Sequence, residues 1–331
     1  MYKHIVDQNI LFSLSIEITT LCNLNCVHCY NLKNIPDRLS LRHIKQVLKE
    51  ASELGALFLS ITGGEPMMRK DIWDVLDYAV KLNFATLLYT NGTLIGADEA
   101  RMLKETGVYW VDITLLGATP STHDKLTGCS GSFELTLNAI REIKNTGMGI
   151  AIKTPVLKEN YSELNRIKNI AADLGIMHIF SPVIFPKDDG NKNPLNHRLT
   201  DKQMREYFMQ HEKAARINPS GTFSCDFGKV MLAVSSQGDI HPCLNVPYPV
   251  GSIFKQSFKT IWKDSKELHQ IRKNAENPCQ SFIKCPYKYW CFRCEGLAWL
   301  EKKKLFVPDR ESCRMAHMRK QVEKETPNKR I

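Results

Sequence analysis

The sequence predicts an α/β fold: a partial barrel of six βα units followed by a small cysteine-rich region. Two observations carry this expectation. Strand-like and helix-like segments alternate along most of the chain, and the alternation stops near Asn218–Gly221, beyond which cysteines crowd together. With 331 residues, 43% of them hydrophobic, the chain can bury one large core and carry a smaller appendage.

In chain order, strands are expected at Leu14–Ile18, Leu57–Thr62, Phe84–Thr90, Val108–Leu115, Gly149–Val156 and Ile176–Ile184. Amphipathic stretches separate them. In Leu41–Leu54, the residues Leu41, Ile44, Val47, Leu48, Ala51 and Leu54 share one helical face. Gly55, Gly107, Gly147 and Gly175 each close a helix pattern. Units repeating every roughly 25–40 residues imply a parallel sheet with right-handed crossovers. Six of them make a partial (βα)6 barrel of TIM type, short of the closed eight-stranded form. Beyond residue 220 the expected elements are a hairpin of Lys229–Val234 with Asp239–Cys243 and a helix near Ser257–Lys273. Few apolar runs remain there to build a core, so metal clusters are the expected staples. The domain boundary is placed at 219/220, giving units 1–219 and 220–331.

The longest apolar runs, Ala56–Ile61 and Phe84–Tyr89, fall far short of the roughly 20 residues of a membrane span. Asp7 interrupts the N-terminus, and Ile10–Ile16 carries two serines with no cleavage site after it. A soluble, cytoplasmic protein with no membrane partner is expected. The net charge of +10 thickens at Lys302–Lys304 and from Arg314 to Arg330, as a solvated basic surface or as attraction for an acidic partner such as a peptide. No nucleic-acid module is recognisable, so nucleic acid is not an expected partner. Eleven cysteines, an odd count with tight local spacing, point to metal ligation in preference to disulfides.

Directly after the first expected strand stands Cys22-Asn-Leu-Asn-Cys26-Val-His-Cys29. Three thiolates at this spacing can hold three irons of a cubane and leave the fourth open to a small chelating molecule. The alternative is a zinc site, for which His28 is poorly placed and a distant fourth ligand would be needed. At the end of the second strand lies Ser60-Ile-Thr-Gly-Gly-Glu-Pro66, where glycines allow close backbone approach and Pro66 stiffens the exit. A plain βα turn is the competing reading. Ligands of parallel sheets bind at the carboxyl ends of strands, and both motifs lie there.

Together these residues resemble the radical S-adenosylmethionine (SAM) superfamily, over residues 14 to 185. Its Cx3Cx2C loop is matched by Cys22, Cys26 and Cys29, and its glycine motif by Gly63, Gly64, Glu65 and Pro66. The resemblance implies a [4Fe-4S] cluster whose open iron is chelated by SAM, with backbone acceptors for the SAM amino group at Gly63–Glu65. It also implies a ribose contact at Thr114. Asn91, in Thr90-Asn-Gly-Thr93, is a similar strand-end candidate, or simply a turn residue.

The tail carries Cys225-x12-Gly238-x4-Cys243, then Cys279-x5-Cys285-x5-Cys291-x2-Cys294, and finally Cys313. Zinc ribbons and reduced structural thiols are the alternatives on spacing alone. From about 220 to 320 the run resembles the SPASM extension of radical SAM enzymes, including its linker at Gly251–Trp262 and Arg272. The resemblance implies one or two auxiliary [4Fe-4S] clusters, one on Cys225, Cys243 and Cys294 and one on Cys279, Cys285, Cys291 and Cys313. The x5 spacing after Cys279 departs from the family's usual x2 and leaves open whether Cys279 is a ligand. Cys129 is left over.

The activity implied is reductive cleavage of SAM to a 5′-deoxyadenosyl radical that abstracts hydrogen from a substrate, with no catalytic acid or base assigned; Asp112, Asp124 and Glu295 are available. The segments Leu116–Asp124, Thr127-Gly128, Gly131–Phe133 and Ile184–Gly190 resemble the peptide-maturing branch. A ribosomally made precursor peptide, receiving a thioether or other cross-link, is therefore the expected substrate. Haem or other cofactor biosynthesis is the alternative, and a non-catalytic iron–sulfur or zinc protein is the alternative of another class. Only 21 residues precede Cys22, so a separate leader-binding protein is expected, together with a reductant such as flavodoxin or ferredoxin.

Overall fold

A computed structural model describes residues 5–6, 8–33, 35–211, 217–218, 225–276 and 280–325. The six expected strands form β1 Ser13–Glu17, β2 Phe58–Thr62, β3 Ala85–Thr90, β4 Trp110–Thr114, β5 Gly149–Pro155 and β6 Met177–Ser181, all parallel. Alternation in β1 shows why they pair as they do. Leu14 and Ile16 are fully buried against the helices, while Ser13, Ser15 and Glu17 turn to the inner face. Leu59 and Ile61 repeat the pattern in β2, so the hydrophobic core lies between strands and helices and leaves the inner face polar.

The crossover helix Leu41–Glu53 buries Ile44, Val47, Leu48 and Ala51, four of the six residues expected on its apolar face. It starts at Ser40, whose side chain accepts from His43 N at 3.3 Å while Ser40 N donates back to His43 Nδ1, a capping box closed by histidine. Gly107 closes the helix Ala97–Thr106 at φ +91°, the left-handed position that its place in the sequence implies.

Two expectations beyond residue 220 change. The hairpin forms, as β7 Met231–Val234 and β8 Asp239–His241, but it does not stand apart from the barrel. β7 runs parallel to β1, with Leu14 opposite Leu232 and Ile16 opposite Val234, and β9 Gly251–Ser252 follows β8. One nine-stranded sheet results, in the order β6-β5-β4-β3-β2-β1-β7-β8-β9. The helix expected near Ser257–Lys273 is two helices, Phe258–Asp264 and Lys266–Glu276. Ser265 breaks them with extended backbone: its hydroxyl donates to Val250 O at 2.8 Å and accepts from Leu268 N at 3.3 Å. Arg272 locks the pair in place, donating to Gly228 O and Trp262 O with its guanidinium 4.2 Å over the Trp262 ring. Among the described residues no helix is long and apolar enough to cross a membrane.

Candidate active site

The cysteine loop leaves the carboxyl end of β1, and the glycine motif leaves that of β2 beside it. Their backbones touch. Gly64 N donates to Thr19 O at 2.8 Å, and Glu65 N donates to Leu21 O at 2.7 Å. A Cβ on Gly63 would stand 2.3 Å from Thr19 O, and one on Gly64 would stand 2.1 Å from Leu21 O. Both glycines are therefore required by the loop that ends in Cys22, a strap between the two motifs that the sequence does not announce.

Glu65 is fully buried and acts as a strut. Its Oε1 accepts from Thr90 Oγ1 at 2.7 Å and Met67 N at 3.0 Å, and its Oε2 accepts from Asn91 N at 2.8 Å. Burial pushes this carboxyl up, and the three donors only partly offset the rise. Asn91 passes the constraint on: its Nδ2 donates to Asn23 Oδ1 at 2.9 Å and its side chain reaches the Cys22 thiol. It also accepts from Thr93 N, so it is both turn residue and positioning residue. Gly63 O already accepts from Asn31 Nδ2 at 2.7 Å and Glu65 O from Met68 N, whereas no hydrogen bond reaches Gly64 O among the described residues. Pro66 opens the short turn Pro66–Met68, and Thr114 ends β4 opposite Lys153 of β5.

The far side of the cysteine loop is gripped by the helix Pro120–Thr127. Asn25 N donates to Thr127 O at 2.7 Å and Val27 N to Leu126 O at 3.0 Å. Cys129 lies on the turn after that helix, its thiol directed at Ser130 O. Burial pushes the Cys22, Cys26 and Cys29 thiols up, and with Cys29 and Cys22 adding repulsion Cys26 reaches about 12. Lys33 opposes the rise at all three. Three enclosed thiolates need more positive charge than one lysine offers, and an all-sulfur donor set suits iron in a cluster. Among the described residues no three His, Cys, Asp or Glu side chains converge as one metal ion would need. A cubane takes each thiolate on a different iron and sets no such requirement. The residues fit the cluster.

In the C-terminal region a cavity of about 310 Å³ opens among Cys225, Cys243 and Cys294. Burial raises all three thiols, Cys225 to about 11 and Cys294 to about 12, and each is within electrostatic reach of another. Gly296 holds the walls together: a Cβ there would meet Asn245 O at 1.8 Å, so the helix Glu295–Lys302 presses directly on the Cys243 loop. Cys285, Cys291 and Cys313 form another group, in which burial and Cys313 push Cys291 to about 12. Cys279 lies outside the described residues. The donor sets again suit iron–sulfur clusters.

Of the acid–base candidates, Asp112 is paired with Lys153 Nζ at 2.7 Å and accepts from Trp110 Nε1 at 2.9 Å on the inner face. Asp124 and Glu295 are structural. Asp124 accepts from Gly131 N, Phe133 N and Ser132 Oγ, and Glu295 pairs with Arg293 at 2.8 Å. Sequence reading missed Glu17. It lines an interior cavity of about 170 Å³ together with Asp188 and His241, between β1 and the β7–β8 hairpin. Burial, with Asp188 adding, raises Glu17 to about 8, and burial raises Asp188 to about 6 and lowers His241 to about 4. Burial pushes the Tyr30 hydroxyl up, with the charges of Glu17, Asp188, Cys29 and Cys243 adding to the rise. The one available signal was the carboxylate ending an otherwise Ser/Leu/Ile strand.

Comparison with known proteins agrees with this geometry. Residues 16–170 match the radical SAM superfamily model, and residues 225–295 match the SPASM model, an iron–sulfur cluster-binding domain. A three-cysteine loop on a partial barrel, strapped to a glycine motif, defines a radical SAM enzyme. The chain belongs to the radical SAM superfamily and carries a C-terminal SPASM domain. Its cofactors are a SAM-binding [4Fe-4S] cluster, SAM and auxiliary [4Fe-4S] clusters. The AdoMet-dependent heme synthase of Methanosarcina barkeri is 26% identical, over 86% of this chain and 90% of the relative. The mycofactocin maturase MftC of Mycobacterium tuberculosis is 26% identical, over 78% of this chain and 72% of the relative. In fold, Streptococcus suis SuiB bound to its precursor peptide SuiA superposes with a TM-score of 0.67 at 21% identity, covering 94% of this chain and 78% of SuiB.

Proposed function

We propose that the enzyme modifies a ribosomally made precursor peptide, installing a thioether or other side-chain cross-link. The observation that carries this reading is the open side of the barrel. β6 ends the sheet, with Met177 51% and Ile179 40% exposed on its free edge. An extended chain with apolar side chains can enter there, by adding to the edge or lying across it. The maturase relative and the peptide-bound neighbour of similar fold support the same reading.

When bound, the cluster and SAM supply a 5′-deoxyadenosyl radical, generated with an electron from a flavodoxin or ferredoxin. Cys22, Cys26 and Cys29 would hold the first cluster, and Gly63–Pro66, Asn91 and Thr114 would bind and orient SAM, Gly64 O taking the amino group. Cys225, Cys243 and Cys294 would hold one auxiliary cluster. Cys285, Cys291 and Cys313 would hold the other, with Cys279 the fourth ligand implied by the sequence. Glu17, facing the cavity with Asp188 and His241, is placed to hold or accept a proton. The units 1–219 and 220–331 serve as barrel and auxiliary domain, working in the cytoplasm.

The heme synthase relative, aligned over nearly the full length of both chains, favours a second reading in which a tetrapyrrole is the substrate. One experiment separates them. Anaerobically reconstituted enzyme is given dithionite and SAM, with a short peptide encoded nearby or with a tetrapyrrole carboxylate. Peptide-dependent 5′-deoxyadenosine and a mass loss of about two hydrogens in the peptide support maturation. Turnover with the tetrapyrrole alone overturns it.

A further inference from the structure

Asp309 has no role in anything described so far. It is 1% exposed and precedes the helix Arg310–Glu325, four positions before Cys313. One of its oxygens does ordinary work, since Oδ1 accepts from Ser312 N at 2.7 Å and caps the helix. The other, Oδ2, is buried and accepts no hydrogen bond among the described residues. The cations nearby are engaged elsewhere. Arg198, within electrostatic reach of Asp309, pairs with Glu311 at 3.2 Å and donates to Ile184 O. Arg293 pairs with Glu295, Arg310 turns to Glu301 and is 93% exposed, and Lys302 donates to Pro308 O at 2.6 Å. No ion pair reaches Asp309 among the described residues.

A buried carboxylate oxygen left without a partner is costly, and in folded proteins such groups are paired or bind metal. The surroundings favour metal. The Asp309 carboxylate lies within electrostatic reach of both the Cys291 and Cys313 thiols, and Cys285 is in the same group. The backbone joins them as well: Ser312, capped by Asp309, donates its hydroxyl to Phe292 O at 3.2 Å, the residue after Cys291. The three described cysteines account for three irons of a cubane, Cys279 lying outside the described residues, and carboxylates are competent iron ligands for the fourth. The helix cap accounts for only one of the two oxygens.

We propose that Asp309, through Oδ2, is the fourth protein ligand of the auxiliary cluster held by Cys285, Cys291 and Cys313, in place of Cys279. The assignment rests on the reading above that these cysteines hold a cluster.

The test uses the full chain, anaerobically reconstituted, with iron content, the EPR spectrum of the reduced clusters and their reduction potentials as readouts. Asp309→Asn keeps an equally good cap and removes the anionic ligand. Its helix content by circular dichroism should match wild type, while iron falls from about twelve per chain to between about eight and eleven and one reduced-cluster signal changes. Asp309→Cys should restore the iron and lower the potential of that cluster. Cys279→Ser should leave iron content and spectrum as in wild type. The proposal is overturned if Cys279→Ser loses iron, or if Asp309→Asn leaves iron and spectrum unchanged. Should Cys285→Ser, Cys291→Ser and Cys313→Ser all retain full iron, the cluster itself is absent and the assignment falls with it, a result distinguishable from loss at Cys279 alone.

Discussion

Glu65 N donates to Leu21 O across 2.7 Å, so the residue after the paired glycines is bonded to the residue before the first cluster cysteine. The cysteine loop and the SAM motif are thereby one mechanical unit. Gly64→Ala tests this most directly. Its Cβ would stand 2.1 Å from Leu21 O and 2.8 Å from Thr20 O, both backbone atoms that have no room to yield. The variant should lose the first cluster, about four irons, while retaining the auxiliary ones, and release no 5′-deoxyadenosine. Iron analysis with a SAM-cleavage assay checks it.

Glu65→Gln separates the strut from the ligand role. The amide keeps the shape but puts a donor where one oxygen accepted, so either the bonds from Thr90 and Met67 or the bond from Asn91 are lost. A loss of about 1–3 kcal/mol in unfolding free energy is expected, together with weaker SAM binding as the Asn91 end of β3 loosens. Denaturant melts and SAM titration measure the two effects.

At Gly296 the expected loss is at the other end of the molecule. A Cβ there would stand 1.8 Å from Asn245 O, forcing the Cys243 loop away from Cys294. Gly296→Ala should therefore lose the cluster at Cys225, Cys243 and Cys294 while the SAM-binding cluster survives. EPR of the reduced variant, with SAM added to mark the surviving cluster, distinguishes this from general unfolding.

Stability should depend on pH through Glu17. Its carboxyl rises from the ordinary 4.5 to about 8 in the fold, chiefly by burial, so between those values the folded chain holds a proton that the unfolded chain has released. The contribution of this one carboxyl is then greatest below about 4.5, falls as pH climbs and levels off beyond about 8, while His241, lowered to about 4 by burial, acts in the opposite sense at the acid end. Such a shift corresponds to at most about 5 kcal/mol. Asp188, raised to about 6, adds the same sign over a lower window. Glu17→Gln should flatten most of this slope and stabilise the protein above pH 7. Melts of both reconstituted forms between pH 5 and 9 measure the difference.

Much of this was legible in the sequence because the signals are local. Strand-like segments alternating with amphipathic helices marked all six barrel strands to within a few residues, and three cysteines on one loop need no tertiary information to suggest an iron site. Ser265 was opaque because its break depends on Val250 O, a partner supplied only by the folded chain. Glu65 read as part of a ligand motif because its side-chain donors, Thr90 and Asn91, come from another strand. The meeting of Glu17 with Asp188 depends on how the loop after β6 returns over the barrel, and no spacing rule encodes that. Asp309 read as an ordinary helix start for the same reason, since only burial reveals that its second oxygen is stranded.

The pairing of β7 with β1 bears on how the enzyme could be dissected. β1 launches the cysteine loop, and its second flank is covered by a strand from beyond residue 220. Cutting the chain at that point would not release a minimal catalyst. It would bare a ladder of backbone donors and acceptors at the root of the loop, sticky toward other copies and free to shift in register. The auxiliary region thus closes the flank of the strand from which the cysteine loop springs, and the barrel depends on it there.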